Sequence, residues 1–223
     1  MRAGILAGLV ISMGTGDLLQ LEHAETGRGS PPGWQVRPVK GRSAPEFEIR
    51  GDGPDRVLRI SGSGQAAWLY RDLREAGVPA SNNLRWSWRV LKAPLSSDLA
   101  IERADDSPIR VYVVFGNPRS LFGGPGRIIF YSFGNHEPDG YAASSHVSGR
   151  IHIIRVDGAA DRGVWRDHTA DLTADYRRIW HREPPPITAV GLMQDTDQTG
   201  DRAVAEVREL RLDFLPAAAR SAR

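Results

Sequence analysis

Acidic residues spaced for cation binding are the most specific chemical signal in this 223-residue chain. Asp195, Asp197 and Thr199 alternate with other residues, and Gly200 and Asp201 follow them. Ca²⁺ prefers such hard oxygen ligands, and a glycine lets a loop wrap them around the ion. Strand-like segments flank the run, whereas an EF-hand needs two helices. The pattern predicts either a hairpin loop that binds calcium through Asp195, Asp197, Thr199 and Asp201, or a plain turn whose side chains cap backbone amides.

A second acidic pair, Asp105 and Asp106, precedes a strand-like segment that carries Arg110. Two adjacent carboxylates cannot both be buried unless a cation or several hydrogen-bond donors compensate them. Arg110 also needs a partner, because its segment is apolar on both faces. We interpret the pair as a solvated corner with an Arg110 salt bridge, as ligands of a glycan, or as half of a four-carboxylate site with Asp195 and Asp197. Such a site raises the question of glycoside hydrolysis, which uses two carboxylates about 5–10 Å apart.

Aromatic side chains offer candidate stacking platforms for sugar rings. Trp86 and Trp88 share one face of an alternating strand, and we expect this face to lie in the core because its other members are aliphatic. Tyr112, Tyr131 and Tyr141 lie on the opposite parity or in loops, so they are the better candidates.

Other site chemistries find little support in the chain. His136 lies in a polar loop that either lines a binding face or forms a surface turn, and the six histidines show no zinc-ligand spacing. The absence of cysteine excludes disulfides, thiolate zinc sites and a cysteine nucleophile. No nucleophile elbow or phosphate-binding glycine loop occurs. A formal charge of +2, without a basic run, does not indicate nucleic-acid binding.

Patterning predicts a single all-β domain that positions these residues. Apolar residues alternate in segments that turn residues separate, and short strands of this kind favour an antiparallel sandwich over a parallel sheet. One short helix is predicted over Asp171–Trp180, and a change of parity predicts a β-bulge near Arg208. The predicted strands cover residues 57–61, 66–71, 83–91, 109–115, 127–133, 150–156, 187–193 and 203–214.

The N-terminus has the pattern of a signal peptide, since Arg2 precedes a short apolar stretch without acidic residues. This stretch is too short for a membrane span, which needs roughly 20 apolar residues, and no later segment approaches that length. We therefore expect a periplasmic or secreted protein, with signal cleavage near Gly16 or Ala24. The expected divisions are a signal peptide over 1–24, a Gly/Pro-rich linker over 25–40, the β-sandwich domain over 41–215 and a frayed tail over 216–223.

Several short motifs occur in a fixed order: Trp86-Ser87-Trp88-Arg89-Val90, Asp105-Asp106, Arg110 to Phe115, Trp165, Asp175-Tyr176 and Asp195 to Gly200. This series, spanning residues 34–214, resembles the uncharacterised bacterial family called domain of unknown function 3047. The resemblance implies an exported β-sandwich similar in outline to galactose-binding-like jelly rolls of carbohydrate-binding modules. It implies no activity, since none is established for the family. Residues 130–136 depart from the family's more usual Tyr-x-Trp element, so the ligand-facing surface would differ there.

The sequence therefore predicts an all-β, jelly-roll sandwich that acts as a non-catalytic binding module, with calcium as a candidate stabilising ion. The alternatives are a hydrolase of cell-wall or extracellular glycans that uses the Asp carboxylates, and a structural envelope protein that presents an edge or face to another protein. The predicted ligand is a glycan, held by Asp105, Asp106, Arg110, Tyr112, Tyr131 and His136.

Overall fold

A computed structural model describes residues 16–116 and 126–214, which form two β-sheets packed face to face. The strands are β1 (Gly16–Asp17), β2 (Gly27–Arg28), β3 (Gln35–Pro38), β4 (Glu46–Arg50), β5 (Val57–Ser63), β6 (Ala66–Asp72), β7 (Asn83–Lys92), β8 (Ser107–Phe115), β9 (Arg127–Phe133), β10 (Ala142–Ser145), β11 (Ser148–Asp157), β12 (Arg166–Asp171), β13 (Ile187–Asp195) and β14 (Arg202–Leu212). This part of the chain contains one α-helix, α1, which spans Leu172–Trp180. Short 3-10 turns cover Leu21–His23, Gly53–Asp55, Arg74–Ala76, Glu102–Ala104 and Ala159–Asp161.

Within residues 16–116 and 126–214, each sheet contains seven strands. Sheet A has the order β12-β7-β14-β5-β4-β2, and β1 pairs with the end of β14. Sheet B has the order β10-β11-β9-β8-β13-β6-β3. Among the described residues, neighbouring strands are antiparallel apart from β9 and β11. The predicted all-β sandwich with one short helix is confirmed, and no described helix is long and apolar enough to cross a membrane.

The core lies between the two sheets because alternating apolar residues point inward from both. Trp86 and Trp88 of β7 are 2% and 1% exposed, so their assignment to the core is confirmed. They face the inward row of β8, which includes Val111 and Val113. Asp171 caps α1, since its Oδ1 accepts a hydrogen bond from the amide of Ala174 (2.9 Å).

The register of β14 shifts near Arg208, where the change of parity in the sequence predicted a β-bulge. β14 pairs with β7 through Val207 and then through Glu209, which leaves Arg208 as the extra residue. The bulge lets Val207 and Leu210 both face the core, although an uninterrupted strand would turn one of them outward.

The outer face of sheet B is also apolar at one end. Tyr112, Phe130, Ile153 and Met193 form a second buried cluster there, together with Leu99. Leu99 belongs to residues 93–106, here called the strap, which connects β7 to β8 and lies over this end of the sheet. Sheet B is therefore covered on its inner face by sheet A and on part of its outer face by the strap.

The N-terminal residues pack into the sandwich. Leu18 and Leu19 are fully buried, and the Leu18 carbonyl accepts hydrogen bonds from Trp34 Nε1 (2.8 Å) and Arg71 Nη1 (2.9 Å). Within the predicted linker, β2 joins sheet A and β3 joins sheet B, so residues 25–40 belong to the sandwich. Residues 16–24 of the predicted signal peptide are likewise part of the folded unit. Residues 1–15 and the predicted tail over 216–223 lie outside the described residues.

Asp157 of β11 ties sheet B to sheet A. Its side chain is fully buried, and its Oδ2 accepts a hydrogen bond from Trp88 Nε1 (2.5 Å) and lies 2.7 Å from His168 Nε2. Arg166 Nε lies 3.3 Å from the other oxygen. Burial raises the pKa of this carboxyl, but the hydrogen bonds from His168 and Trp88 and the charges of His168 and Arg166 outweigh burial, so the pKa lies below its usual value.

Leu18→Ala tests whether the first described residues are part of the fold. We expect it to lower the free energy of unfolding by about 3 kcal/mol, because it leaves a cavity in a closed core. Leu95→Ala is the control, since this leucine is 67% exposed and should change stability by less than about 0.5 kcal/mol. Denaturant unfolding of both variants measures the difference, and equal effects would contradict the assignment.

Asp157→Asn tests the connection between the sheets. We expect a loss of about 3 kcal/mol at neutral pH, because one partner of a buried charged network is removed. A carboxyl whose folded pKa is depressed stabilises the protein above its usual pKa of 3.8, and this contribution disappears as the pH falls through the folded pKa. Urea unfolding at neutral and acidic pH should therefore show a smaller acid loss for the variant than for the wild type. Asp139→Asn removes a fully exposed carboxylate that pairs with Arg155, and because solvent screens such a pair it should leave the profile nearly unchanged.

Candidate functional site

An open groove of about 430 Å³ lies on the outer face of sheet B, beside the region that the strap covers. It crosses five adjacent strands, β3, β6, β13, β8 and β9. Since neighbouring strands are about 4.8 Å apart, the groove extends about 19 Å across the sheet. Its lining consists of Arg37, Trp68, Tyr70, Asp72, Arg74, Tyr112, Val114, Gly126, Ile128, Thr188 and Ala189.

Two half-buried aromatic side chains dominate the surface of this groove. Trp68 packs edge-on against Tyr112, with ring centroids 5.1 Å apart, and also contacts Phe130 at 5.5 Å. Tyr70 donates a hydrogen bond from its hydroxyl to Gln35 Oε1 (2.8 Å). These contacts hold both rings in place while each keeps an accessible surface.

Gly191 of β13 makes the floor of the groove flat enough for the Tyr112 ring. A Cβ at this position would lie 2.2 Å from the ring and 2.5 Å from the Leu69 carbonyl oxygen. The glycine therefore allows Tyr112 to lie directly over the neighbouring strand. Tyr112, at 2% exposure, is a buried part of the floor rather than the exposed platform that its parity suggested.

Charged groups lie at the β3 and β6 side of the groove. Arg74 forms a forked ion pair with Asp72, and this hydrogen bonding lowers the pKa of the Asp72 carboxyl. Arg37 is exposed on the edge strand β3. This side of the groove can therefore donate and accept hydrogen bonds next to the aromatic surface.

Polar contacts fix the strap beside the groove. The buried Glu137 accepts a hydrogen bond from the amide of Leu99 (3.1 Å), and Tyr141 donates to the Leu99 carbonyl (3.2 Å). His136 Nε2 lies 2.8 Å from the carbonyl oxygen of Leu95. His136 and Tyr141, which the sequence analysis considered as ligand contacts, thus hold the strap and do not line the groove.

Tyr131 faces the core, contrary to the expectation that it offers a stacking surface. Its ring packs on Trp86 at 5.1 Å, and its hydroxyl donates to Asp175 Oδ2 (2.8 Å). Burial raises the pKa of Tyr131 well above its usual value. The platform residues that the sequence analysis missed, Trp68 and Tyr70, share one parity of a predicted strand. This alternation was visible, but it did not reveal which parity faces outward.

The acidic residues meet at the other end of the outer face, where the strap enters β8. One carboxylate oxygen from each of Asp106, Asp195 and Asp197 lies within 4.8 Å of the others. We call these three residues the acidic cluster. Asp106 is completely buried, and its Oδ2 accepts hydrogen bonds from the amide (2.8 Å) and hydroxyl (2.6 Å) of Thr199.

Arg110 places a buried positive charge beside this cluster. Its Nη2 donates to Asp105 Oδ1 (2.6 Å), and its Nη1 lies 3.6 Å from Asp195 Oδ2. The Arg110–Asp105 pair is buried, not the solvated corner considered from sequence. Burial raises the pKa of Asp195 to about 7, and the neighbouring carboxylates raise it while Arg110 opposes them.

Two of the predicted calcium ligands have other partners. Thr199 donates hydrogen bonds to Asp106, as described above. Asp201 Oδ2 accepts hydrogen bonds from the strap, namely from the amide of Leu95 (3.0 Å) and the hydroxyl of Ser96 (3.1 Å). The side chains of Thr199 and Asp201 therefore do not join Asp195 and Asp197 in one cluster of oxygen atoms, as the sequence predicted. Asp106 of the strap lies beside these two carboxylates instead.

Comparison with known proteins gives one family and several structures of similar outline. The family described as Protein of unknown function (DUF3047) matches residues 32–211. No curated protein matches the chain. The family 11 carbohydrate-binding module of the cellulase Lic26A-Cel5E of Clostridium thermocellum has a TM-score of 0.47 and 12% identity, over 90% of this chain and 95% of that one.

Two similar structures are catalytic domains. The Humicola grisea Cel12A domain, in complex with a thio cellotetraose, has a TM-score of 0.46 and 13% identity, over 84% of this chain and 95% of that one. The xyloglucanase domain of NopAA from Sinorhizobium fredii, in complex with cellobiose, has a TM-score of 0.44 and 12% identity, over 85% and 98%. What this chain binds must be inferred from its own side chains.

Gly191→Ala tests the shape of the groove floor. The added methyl group has to displace both the Tyr112 ring and a backbone carbonyl, so we expect a loss of about 1–3 kcal/mol in the free energy of unfolding. Gly149→Ala is the matched control, because a Cβ there meets nothing within 4 Å. Denaturant unfolding of the two variants should separate them, and equal stabilities would show that the floor is not closely packed.

Proposed function

The chain belongs to the DUF3047 family, and we propose that it is an exported, non-catalytic protein that binds a glycan in the groove of sheet B. The observation that carries this proposal is the pair of rigidly held, half-buried rings of Trp68 and Tyr70 in an open groove. Export is inferred from the signal-peptide pattern at the N-terminus.

The chemistry of the groove suits a sugar chain. Carbon-bound hydrogens on the face of a pyranose ring pack on an aromatic ring, while the hydroxyl groups at the ring edge need hydrogen-bond partners. Trp68 and Tyr70 supply the apolar surface, and Asp72, Arg74 and Arg37 supply polar groups beside it. Because contacts with Tyr112 and Gln35 already hold the rings, binding would cost little side-chain entropy.

The dimensions of the groove favour a short oligosaccharide over a single sugar. An opening that crosses five strands is about 19 Å long and gives several consecutive rings access to the same surface. It is also open, unlike the enclosed pockets that bury most of a small ligand.

Several observations favour binding over hydrolysis. Glycosidases use two carboxyl groups on either side of the scissile bond, and one of them needs a raised pKa to act as an acid. Among the described residues that line the groove, the carboxylate is Asp72, whose pKa is lowered by its pairing with Arg74. Asp105, Asp106 and Asp195 are at most 7% exposed and do not line the groove. A protein that holds glycans without cleaving them is therefore the better interpretation.

Trp68→Ala tests the proposal. A panel of soluble polysaccharides and cell-wall glycans would first identify a ligand of the wild type, and calorimetry would then give its Kd. We expect the variant to bind at least tenfold more weakly, equivalent to about 1.4 kcal/mol, because one of the two half-buried rings of the groove is lost. Reaction products should be absent after long incubation with the wild type.

Trp165→Ala is the matched control. Trp165 is also half-buried, but it lies against Arg89 and Arg208 of sheet A, on the opposite side of the sandwich. Its removal should leave the glycan affinity unchanged. An equal loss of affinity in both variants, or no glycan bound by the wild type, would refute the proposed site.

A further inference from the structure

We infer that the acidic cluster of Asp106, Asp195 and Asp197 binds one calcium ion, which joins the strap to the loop between β13 and β14. The two elements that would be joined are far apart in sequence, since Asp106 ends the strap, whereas Asp195 is the last residue of β13 and Asp197 lies in the loop after it. This site differs from a calcium loop formed by consecutive residues, and it does not depend on the glycan-binding proposal.

The spacing of the oxygens matches a single ion. Calcium–oxygen distances are about 2.3–2.6 Å, so two ligands on opposite sides of the same ion are about 4.6–5.2 Å apart. One oxygen from each member of the acidic cluster lies within 4.8 Å of the others. Three carboxylates are therefore close enough together to share one cation.

The excess of negative charge at the acidic cluster favours a divalent cation. The acidic cluster and Asp105 bring four carboxylates together. Arg110 pairs with Asp105 and Asp195, and Arg42 Nε donates to Asp197 Oδ2 (2.9 Å). These two arginines leave two negative charges uncompensated when all the carboxylates are ionised, and Ca²⁺ would neutralise both.

An unpaired buried oxygen gives independent support. Asp195 is 7% exposed, and its Oδ1 is buried without a hydrogen-bond partner among the described residues. A buried carboxylate oxygen without a partner is costly, whereas a bound cation satisfies it.

Neighbouring hydrogen bonds hold the cluster in position. Asp106 Oδ2 accepts two hydrogen bonds from Thr199, whereas Oδ1 accepts one from the amide of Gln198 (3.2 Å) and keeps a lone pair for a metal. Contacts of this kind orient ligands in metal sites. The ligands are all oxygens, without histidine or cysteine, which selects calcium or magnesium over zinc. Calcium fits better because it tolerates irregular coordination, whereas Mg²⁺ demands a near-ideal octahedron.

Calcium titration of chelator-treated, full-length protein tests the inference. Calorimetry should show one site, and the melting temperature should rise by roughly 5–10 °C at a hundredfold excess over Kd. Magnesium at the same concentration should produce a smaller shift. No calcium-dependent shift in the wild type, or an equal or larger shift with magnesium, would overturn the assignment.

Asp195→Asn and Asp201→Asn locate the site. The first substitution removes a ligand charge but keeps the size of the side chain, so the calcium shift should disappear while the chelated variant melts no lower than the chelated wild type. Asp201 contacts the strap outside the acidic cluster, and its variant should keep the calcium shift. A full shift in Asp195→Asn, or its loss only in Asp201→Asn, would place the ion elsewhere. Trp68→Ala should retain the shift, which separates this result from the glycan test.

Discussion

Sheet B has to be covered on both faces, and most other features of the protein follow from this requirement. Strand β8 places Val111 and Val113 against sheet A and Arg110 and Tyr112 on the opposite side. A central strand with large side chains in both directions cannot leave either face fully in water. The strap covers one end of the outer face, where Leu99 packs into the second buried cluster.

The strap covers apolar surface of sheet B, but it also buries charged and polar groups. A connection that lies over a sheet must satisfy its own backbone groups, and here Glu137 and Asp201 accept hydrogen bonds from strap amides. The same arrangement buries Asp106 next to Asp195, with Arg110 as the nearest positive charge. Burial of several like charges under the strap is the basis on which we propose a cation site at this end of the fold.

The other end of the outer face remains open, and this difference defines the groove. Beyond the strap, Trp68 and Tyr70 keep part of their surface accessible, while Tyr112 beneath them stays buried over Gly191. One continuous aromatic surface is therefore divided into a covered part with a structural role and an exposed part that can receive a ligand. Asp157 holds the two sheets together on the inner side, so the groove rests on a fixed support.

The alternation of apolar and polar residues was sufficient to predict the architecture, because in long strands it decides which side chains share a face. It identified the strands of both sheet centres, the inward orientation of Trp86 and Trp88, and the bulge at Arg208. Strands of two to four residues, such as β2 and β3, carry too few positions to show a period, so a Gly- and Pro-rich segment looked like a linker. In strands with apolar side chains on both faces, only the tertiary structure decided which face met the other sheet, and this placed Tyr131 in the core and left Trp68 half-buried in the groove. Long-range packing also brought Asp106 to Asp195 and Asp197, because the strap folds back over the sheet and no local spacing encodes that approach.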